Sequence, residues 1–195
     1  MTTRLLIVGP QGSGKGTQGQ RVAEAYGVPV VSTGDIFRAN IKGGTELGLK
    51  VKAITDAGNL VPDDVTGEIV SDRLSQSDAI ERGFLLDGYP RNAAQVAYLD
   101  DFLASHSAAL DAVILLDVPR AESVARITGR AEIEGRSDDT EDAVAHRLDI
   151  YESETAPIAE TYAQRGVLDR IDGVGTLEQV TERIFAALDA RSLIR

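Results

Sequence analysis

Residues 9–17, GPQGSGKGT, hold the densest concentration of chemistry in the chain. They follow the apolar run Leu5-Leu6-Ile7-Val8 and precede QGQRVAEAY, residues 18–26, which reads as a helix. A buried strand, a glycine-rich loop and a helix N-terminus in that order make a phosphate cradle. The glycines let the backbone bend around an anion with its N–H groups inward, and the helix dipole adds partial positive charge. Lys15 adds a full charge that can reach outer phosphates, so residues 9–17 form a candidate nucleoside triphosphate site. Gly9, Gly14 and Lys15 fit G-x-x-x-x-G-K, in which the next residue is ordinarily a Ser or Thr whose hydroxyl binds Mg²⁺. Here that residue is Gly16, and the hydroxyl arrives one place later, at Thr17.

The net charge is −11, so a protein of this composition that binds polyanions must concentrate its cations locally. Arg126 and Arg130 are four apart and would share a helix face. Arg136 lies in GRAEIEGRSDD, residues 129–139, a polar, glycine-bounded stretch that reads as a mobile loop. Arg147 falls in the next helix, whose start is marked by Asp138-Asp139-Thr140-Glu141-Asp142, an N-cap with an acidic first turn. Arg91 follows a strand-like run in FLLDGYPRNAAQ, and Arg38 follows another in STGDIFR. A lone arginine reads as a solvated surface charge. Arginines recurring at strand ends and beside a loop read as a cluster that neutralises two sets of phosphates through bidentate hydrogen bonds.

Five strand-like runs position these groups: Arg4–Val8, Pro29–Ser32, Phe84–Asp87, Ala112–Val118 and Val167–Ile171. Runs such as Ala112-Val113-Ile114-Leu115-Leu116 are apolar on both faces, as in a parallel sheet covered by helices. Leu177, Val180, Ile184 and Leu188 fall three and four apart and predict an amphipathic C-terminal helix. Strands alternating with helices imply an α/β fold with right-handed crossovers. Residues 32–61, with Gly43-Gly44, Gly48 and Gly58, are too long for a simple crossover and predict a small helical insert.

A length of 195 residues suits one domain, and 43% hydrophobic with 26% charged residues suits a globular chain with a real core. The absence of cysteine excludes disulfides and thiolate metal sites, and two histidines, His106 and His146, are too few for a structural zinc. The acidic balance argues against nucleic-acid and anionic-membrane binding, and 5% aromatics with no Trp against base-stacking platforms. No apolar run approaches the ~20 residues that cross a bilayer. The start, Met1-Thr2-Thr3-Arg4, lacks a signal-peptide layout, so a cytoplasmic location is the expectation.

The motifs taken together resemble the adenylate kinases of the nucleoside monophosphate kinase family, over nearly the whole length. GPQGSGKGTQ is similar to that family's phosphate loop, which also carries Gly then Thr after the lysine, although Gln11 stands where proline is expected. STGDIFR and GNLVPDDVT resemble the segments that open and close its monophosphate-binding insert. FLLDGYPRNAAQ fits the signature D-G-[FY]-P-R-x-x-x-[NQ]. RITGRAEIEGRSDD with HRLDIY resembles the short form of the lid, with Ala131 where a second arginine is frequent, and IDGVGT resembles the loop that covers the triphosphate's adenine.

The resemblance implies a P-loop NTPase-like fold with a five-stranded parallel sheet, an insert at 32–61, a lid at 129–139 and a core made of 1–31, 62–128 and 140–195. It implies that Gly12 to Thr17, Arg126 and Arg130 hold the ATP phosphates, with Gly175 against the ATP adenine through its carbonyl. It implies that Thr33 and Gln95 read the AMP base, that Asn59, Leu60 and Val61 line that pocket, and that Arg38 and Arg91 hold the AMP phosphate beside Gly88, Tyr89 and Pro90. Arg136 and Arg147 would close over the reacting phosphates, and Lys15, Arg91, Arg130, Arg136 and Arg147 would form the catalytic set. Mg²⁺ would come with ATP, oriented by Asp87 through water and by Thr17, with no zinc. ATP, AMP and ADP are the implied partners of a monomer. A UMP/CMP kinase shares most of these motifs, but usually has alanine and asparagine at the positions of Thr33 and Gln95. A GTPase-like switch would carry N-K-x-D, which none of Asn40, Asn59 and Asn92 begins.

Overall fold

The computed structural model describes residues 2–134 and 139–193, with only the backbone of residues 130–134. Five strands form one parallel sheet: β1 (Thr3–Val8), β2 (Val30–Ser32), β3 (Gly83–Asp87), β4 (Ala112–Asp117) and β5 (Leu168–Asp172). Their order is β2-β3-β1-β4-β5, so the order reverses between β1 and its neighbours. Each strand lies within a residue or two of its sequence expectation. The doubly apolar runs have a simple cause. Successive side chains point to opposite faces, and both faces are covered. Leu6, Leu86 and Leu115 enter one core cluster with Leu99 and Tyr162. Leu5, Leu85 and Ile114 enter another with Val22 and Ile184.

Helix α1 (Lys15–Tyr26) follows β1, and α10 (Leu177–Ala190) packs beside it on the same face. Val180, Ile184 and Leu188 are buried as the periodicity requires, whereas Leu177 is 38% exposed. Leu177 is the first helical residue, next to the N-cap Thr176, and contributes its carbonyl, which accepts from Gln18 Nε2 at 3.0 Å. Between β2 and β3 run α2 (Thr33–Lys42), α3 (Glu46–Asp56), α4 (Asp63–Leu74) and α5 (Ser77–Arg82), which makes the stretch 32–61 helical as expected. Ser32 and Thr45 cap α2 and α3 with their hydroxyls. Helix α6 (Ala93–Ser105) joins β3 to β4. Helices α7 (Arg120–Glu134), α8 (Glu141–Ile150) and α9 (Ile158–Gln164) lie between β4 and β5, with a π-helical turn at Tyr151–Thr155.

The loop expected from Gly129 onward is corrected. Helix α7 runs through Gly129 to Glu134, so residues 129–134 are helical. A helix-interior glycine costs only about 1 kcal/mol against alanine, and Arg130, Ala131 and Glu132 are good helix formers that carry the helix past it. Residues 135–138, including Arg136, lie outside the described residues. Asp139 is buried just ahead of α8, whose N-cap Thr140 accepts from the Ala143 N–H.

Among the described residues, no helix is long and apolar enough to cross a membrane.

Candidate active site

The C-terminal ends of the central strands converge. Ile7 pairs with Asp87, and Asp87 with Ser32, so the loops after β1, β2 and β3 leave the sheet side by side. This is the carboxyl edge at the point where strand order reverses, the usual ligand position in open α/β sheets. A cleft of ≈ 1040 Å³ opens there, from the phosphate loop at one end to α2, α3 and the 57–61 segment at the other. That size lies at the upper end of the range for small-molecule sites.

At the first end the backbone turns sharply into α1. Gly12 has φ +81°, and a Cβ there would stand 2.6 Å from the Ser123 carbonyl oxygen of α7, so the loop is pressed against that helix. The Lys15 ammonium donates to the Gly9 and Pro10 carbonyls at 2.8 Å each, which holds it across the loop. Gly14, Gly16 and Thr17 line the cleft, while Ser13 is 2% exposed and its hydroxyl has no partner among the described residues. Arg126 is tied to Glu122 of its own helix at 2.8 Å, to the Ser13 carbonyl at 3.5 Å and to the Gly173 carbonyl at 3.1 Å. It thereby bridges the phosphate loop to the β5–α10 turn, which contains Gly175 outside the cleft lining. Arg130 lies one turn further along α7, and its side chain is outside the described set.

At the other end, Thr33 is 2% exposed and donates to the Gly88 carbonyl at 3.0 Å. Arg91 Nε donates to the same carbonyl at 2.7 Å. Tyr89 and Pro90, joined by a cis peptide, lead into Arg91, and Asn92 caps α6 by accepting from the Gln95 N–H. Gln95 is 2% exposed and lines the cleft. Arg38 projects from α2 and pairs with Asp35. Leu60 and Val61 line the wall beside Asn59.

Helix α8 forms the far rim. Arg147 Nη2 donates to the Thr55 carbonyl at 3.1 Å, and His146 Nε2 meets Asn59 Oδ1 at 2.7 Å. Gly58, at φ +79°, brings its backbone so close that a Cβ would lie 2.7 Å from the Ala143 carbonyl.

The charges focus on Asp87. Burial pushes its carboxyl up, with Lys15, Arg91 and Arg38 pulling it down and Asp35 adding to the rise. Burial also lowers the Arg91 guanidinium; Asp87 opposes that, while Arg147 and Arg38 add to it. Four cations and one deep carboxylate thus feel one another in a single cleft. Such a cleft can bind phosphate-rich anions, and Asp87 and Thr17, which both line it, carry hard oxygen atoms that can ligate a divalent cation. Among the described residues no group of three or more His, Cys, Asp or Glu side chains is placed to cage a metal.

Every candidate site residue with a described side chain lines this cleft except Ser13 and Gly175. Two residues inside quoted motifs, Asp63 and Gln11, receive no role there. Asp63 accepts from Gln95 Nε2 at 2.7 Å, and Gln11 Nε2 donates to Asp139 Oδ1 at 2.9 Å. Both depend on partners distant in sequence, and no local pattern announces them.

Comparison with known proteins agrees with this geometry. The adenylate kinase family model matches residues 7–167. An adenylate kinase of Kocuria rhizophila is 57% identical over 187 residues, covering 96% of this chain and 99% of the relative. Those of Leifsonia xyli subsp. xyli and Pseudarthrobacter chlorophenolicus are 54% and 53% identical, covering 97% and 96% of this chain and 95% and 97% of the relatives. With a glycine-rich phosphate loop at one end of an arginine-lined cleft, a helical insert at the other, and matches that run nearly end to end, the chain belongs to the adenylate kinase family.

Proposed function

We infer that the protein catalyses the reversible, Mg²⁺-dependent transfer of the ATP γ-phosphoryl group to AMP, giving two ADP and keeping adenine nucleotides in balance. The observation that carries this reading is the continuous cleft with cations at both ends and Asp87 between them. In the forward reaction an AMP phosphate oxygen bonds to the γ-phosphorus as the bond to the β–γ bridging oxygen breaks. A phosphate monoester is largely dianionic near neutral pH, so no strong general base is needed. The protein's work is to align two mutually repelling anions and to neutralise charge on the transferring oxygens.

Gly12 to Thr17, Arg126 and Arg130 serve the ATP phosphates, and Gly175 serves its adenine. Arg38 and Arg91 take the AMP phosphate, while Thr33 and Gln95 read its base against the 59–61 backbone. Arg136 and Arg147 close over the reacting groups. Mg²⁺ bound with ATP would screen the phosphate charge; Asp87, through water, and Thr17 are the residues that would hold it. Residues 32–61 act as the monophosphate-binding unit and 129–139 as the lid, which shields the transferring group from water. The enzyme works as a cytoplasmic monomer without zinc, nucleic acid or membrane.

A coupled assay with ATP, Mg²⁺ and each of AMP, CMP, UMP and GMP tests the reading. Strong preference for AMP is expected, and comparable kcat/KM with UMP or CMP would overturn the acceptor assignment while sparing the fold.

A further inference from the structure

Gln95 carries an amide, and an amide can be turned over. One orientation presents an acceptor and a donor in the order that complements adenine, whose N6 donates and N1 accepts. The other presents them in the order that complements hypoxanthine, whose O6 accepts and N1–H donates. A glutamine free to flip therefore reads both bases. In this structure it is not free. Gln95 Oε1 accepts from the Arg91 backbone N–H at 2.8 Å, and a backbone N–H can only donate. Gln95 Nε2 donates to Asp63 Oδ1 at 2.7 Å, and a carboxylate can only accept. Asn92 Nδ2 donates to the same carboxylate at 3.0 and 3.3 Å, while its Oδ1 accepts from the Gln95 N–H at 2.9 Å. The amide orientation is dictated by these partners. One lone pair on Oε1 and one N–H on Nε2 remain for a ligand.

We propose that Asp63 is a specificity-determining positioning residue: by fixing the Gln95 amide through the Asp63–Gln95 hydrogen bond, it makes the acceptor site select a 6-amino purine over a 6-oxo purine. The inference rests on the reading that Gln95 faces the acceptor base. Asp63 does not touch the reacting phosphates. It opens α4, is exposed to solvent, and lies 32 positions from Gln95 in sequence. In the turned-over amide, Oε1 would face the Asp63 carboxylate and Nε2 would face the Arg91 N–H, so both contacts would become repulsive. Removing Asp63 removes one of the two constraints.

The test measures kcat/KM for AMP and for IMP, at saturating ATP and Mg²⁺, in the full-length protein and in Asp63→Ala, Asp63→Asn and Gln95→Leu. IMP differs from AMP only at the 6-position and its N1 proton, so it reports the amide order without the bulk of a 2-amino group. The ratio of AMP to IMP is expected to fall about ten-fold in Asp63→Ala, since a hydrogen bond to a charged group is worth at least that factor. Asp63→Asn should also lower it, because an Asn amide can turn together with Gln95. The KM for ATP should stay unchanged in both variants, which separates this role from a general loss of structure. Should the ratio hold in both Asp63 variants while collapsing in Gln95→Leu, the proposal fails and Gln95 still reads the base. Should the ratio hold in Gln95→Leu as well, base reading by Gln95 fails and takes the proposal with it.

Discussion

Gln11 Nε2 donates a 2.9 Å hydrogen bond to Asp139 Oδ1 across 128 positions of sequence, joining the phosphate loop to the residue ahead of α8. Gln11 Oε1 is buried without a partner among the described residues. Helix α8 carries Arg147 and rests on the 55–59 segment through His146, Arg147 and Ala143. Asp139 thus tethers to the phosphate loop a helix that also rests on the 55–59 segment, on α7 and on the π-helical turn. Gln11→Glu would set two carboxylates against each other. It should destabilise the fold by about 1–3 kcal/mol at neutral pH, and the loss should shrink as acid protonates one of them. Melting curves between pH 4 and 8 check this, and an unchanged melting temperature at pH 7 would show that the contact does not persist in solution.

Lys15→Met should keep the fold and lower kcat by about 10²–10³, the usual cost of losing an electrostatic stabiliser of the transition state. The folded-state contacts of the ammonium include two loop carbonyls at 2.8 Å, which a stable helix N-terminus can lose without unfolding. Circular dichroism with steady-state kinetics separates the two effects. A folded variant of near-normal kcat would remove the loop from the catalytic site.

Gly12→Ala tests the seat of the phosphate loop. A left-handed φ and a Cβ 2.6 Å from the Ser123 carbonyl oxygen both oppose the substitution. Strain and overpacking together should cost about 2–4 kcal/mol, and the displaced loop should lose ATP affinity. Chemical denaturation gives the first quantity and nucleotide titration the second. Wild-type values for both would contradict the close packing of the loop on α7.

Much of this architecture was legible in the sequence because it is local. The runs at Leu5–Val8 and Ala112–Leu116 are apolar on both faces because helices cover both sides of the sheet, and a buried parallel strand has no other composition available. GPQGSGKGT declared the phosphate loop because only that order of strand, glycines and lysine builds it. Gly129 misled: glycine punctuates loops often, yet here the neighbouring residues propagate α7 through it. Leu177 matched the helical period but belongs to the first turn, where a side chain can stay in solvent. Asp63 was invisible for a different reason. Its effect comes from meeting Gln95 in space, and the segment VPDDVT says nothing about α6. The same holds for Asp87, whose carboxyl is raised by burial against the pull of Lys15, Arg91 and Arg38, cations brought from three separate segments.

Away from the cleft, Arg73 of α4 holds Asp78 of α5 by paired hydrogen bonds of 2.9 and 2.8 Å. The Arg73 hydrogen bond holds the Asp78 carboxyl below its ordinary value. A carboxylate with a depressed folded pKa contributes stability above its unfolded pKa and loses it as pH falls through the folded one. Asp78→Asn should therefore melt lower than wild type at pH 7. The two curves should converge in acid below the ordinary carboxylate range, while kcat stays unchanged throughout. A difference that persists unaltered into acid would assign the effect to packing instead of charge.

Arg38 and Arg147 should separate docking from transfer. Arg38 rises from α2 beside the sheet edge and pairs with Asp35 in a half-exposed position, suited to meeting an acceptor phosphate as it arrives. Arg147 stands on α8, which touches the 55–59 wall of the cleft through Thr55 and reaches the phosphate loop by way of Asp139 and Gln11. Its position therefore depends on both ends of the cleft, and its contact with substrate should be strongest when both nucleotides are in place. Arg38→Ala should raise the KM for AMP by about 10–100-fold, the loss of a charge-assisted hydrogen bond, with a smaller fall in kcat. Arg147→Ala should show the reverse, a strong fall in kcat with AMP affinity less affected, because it removes an interaction made mainly in the transition state. Two adenosines joined by a five-phosphate chain should bind wild type far more tightly than either nucleotide, since one molecule engages both ends. Calorimetry on the two variants should then show Arg147→Ala losing more of that advantage than of its affinity for AMP alone. If Arg147→Ala changed only the KM for AMP and left kcat untouched, α8 would be part of the docking wall and not of the transfer machinery.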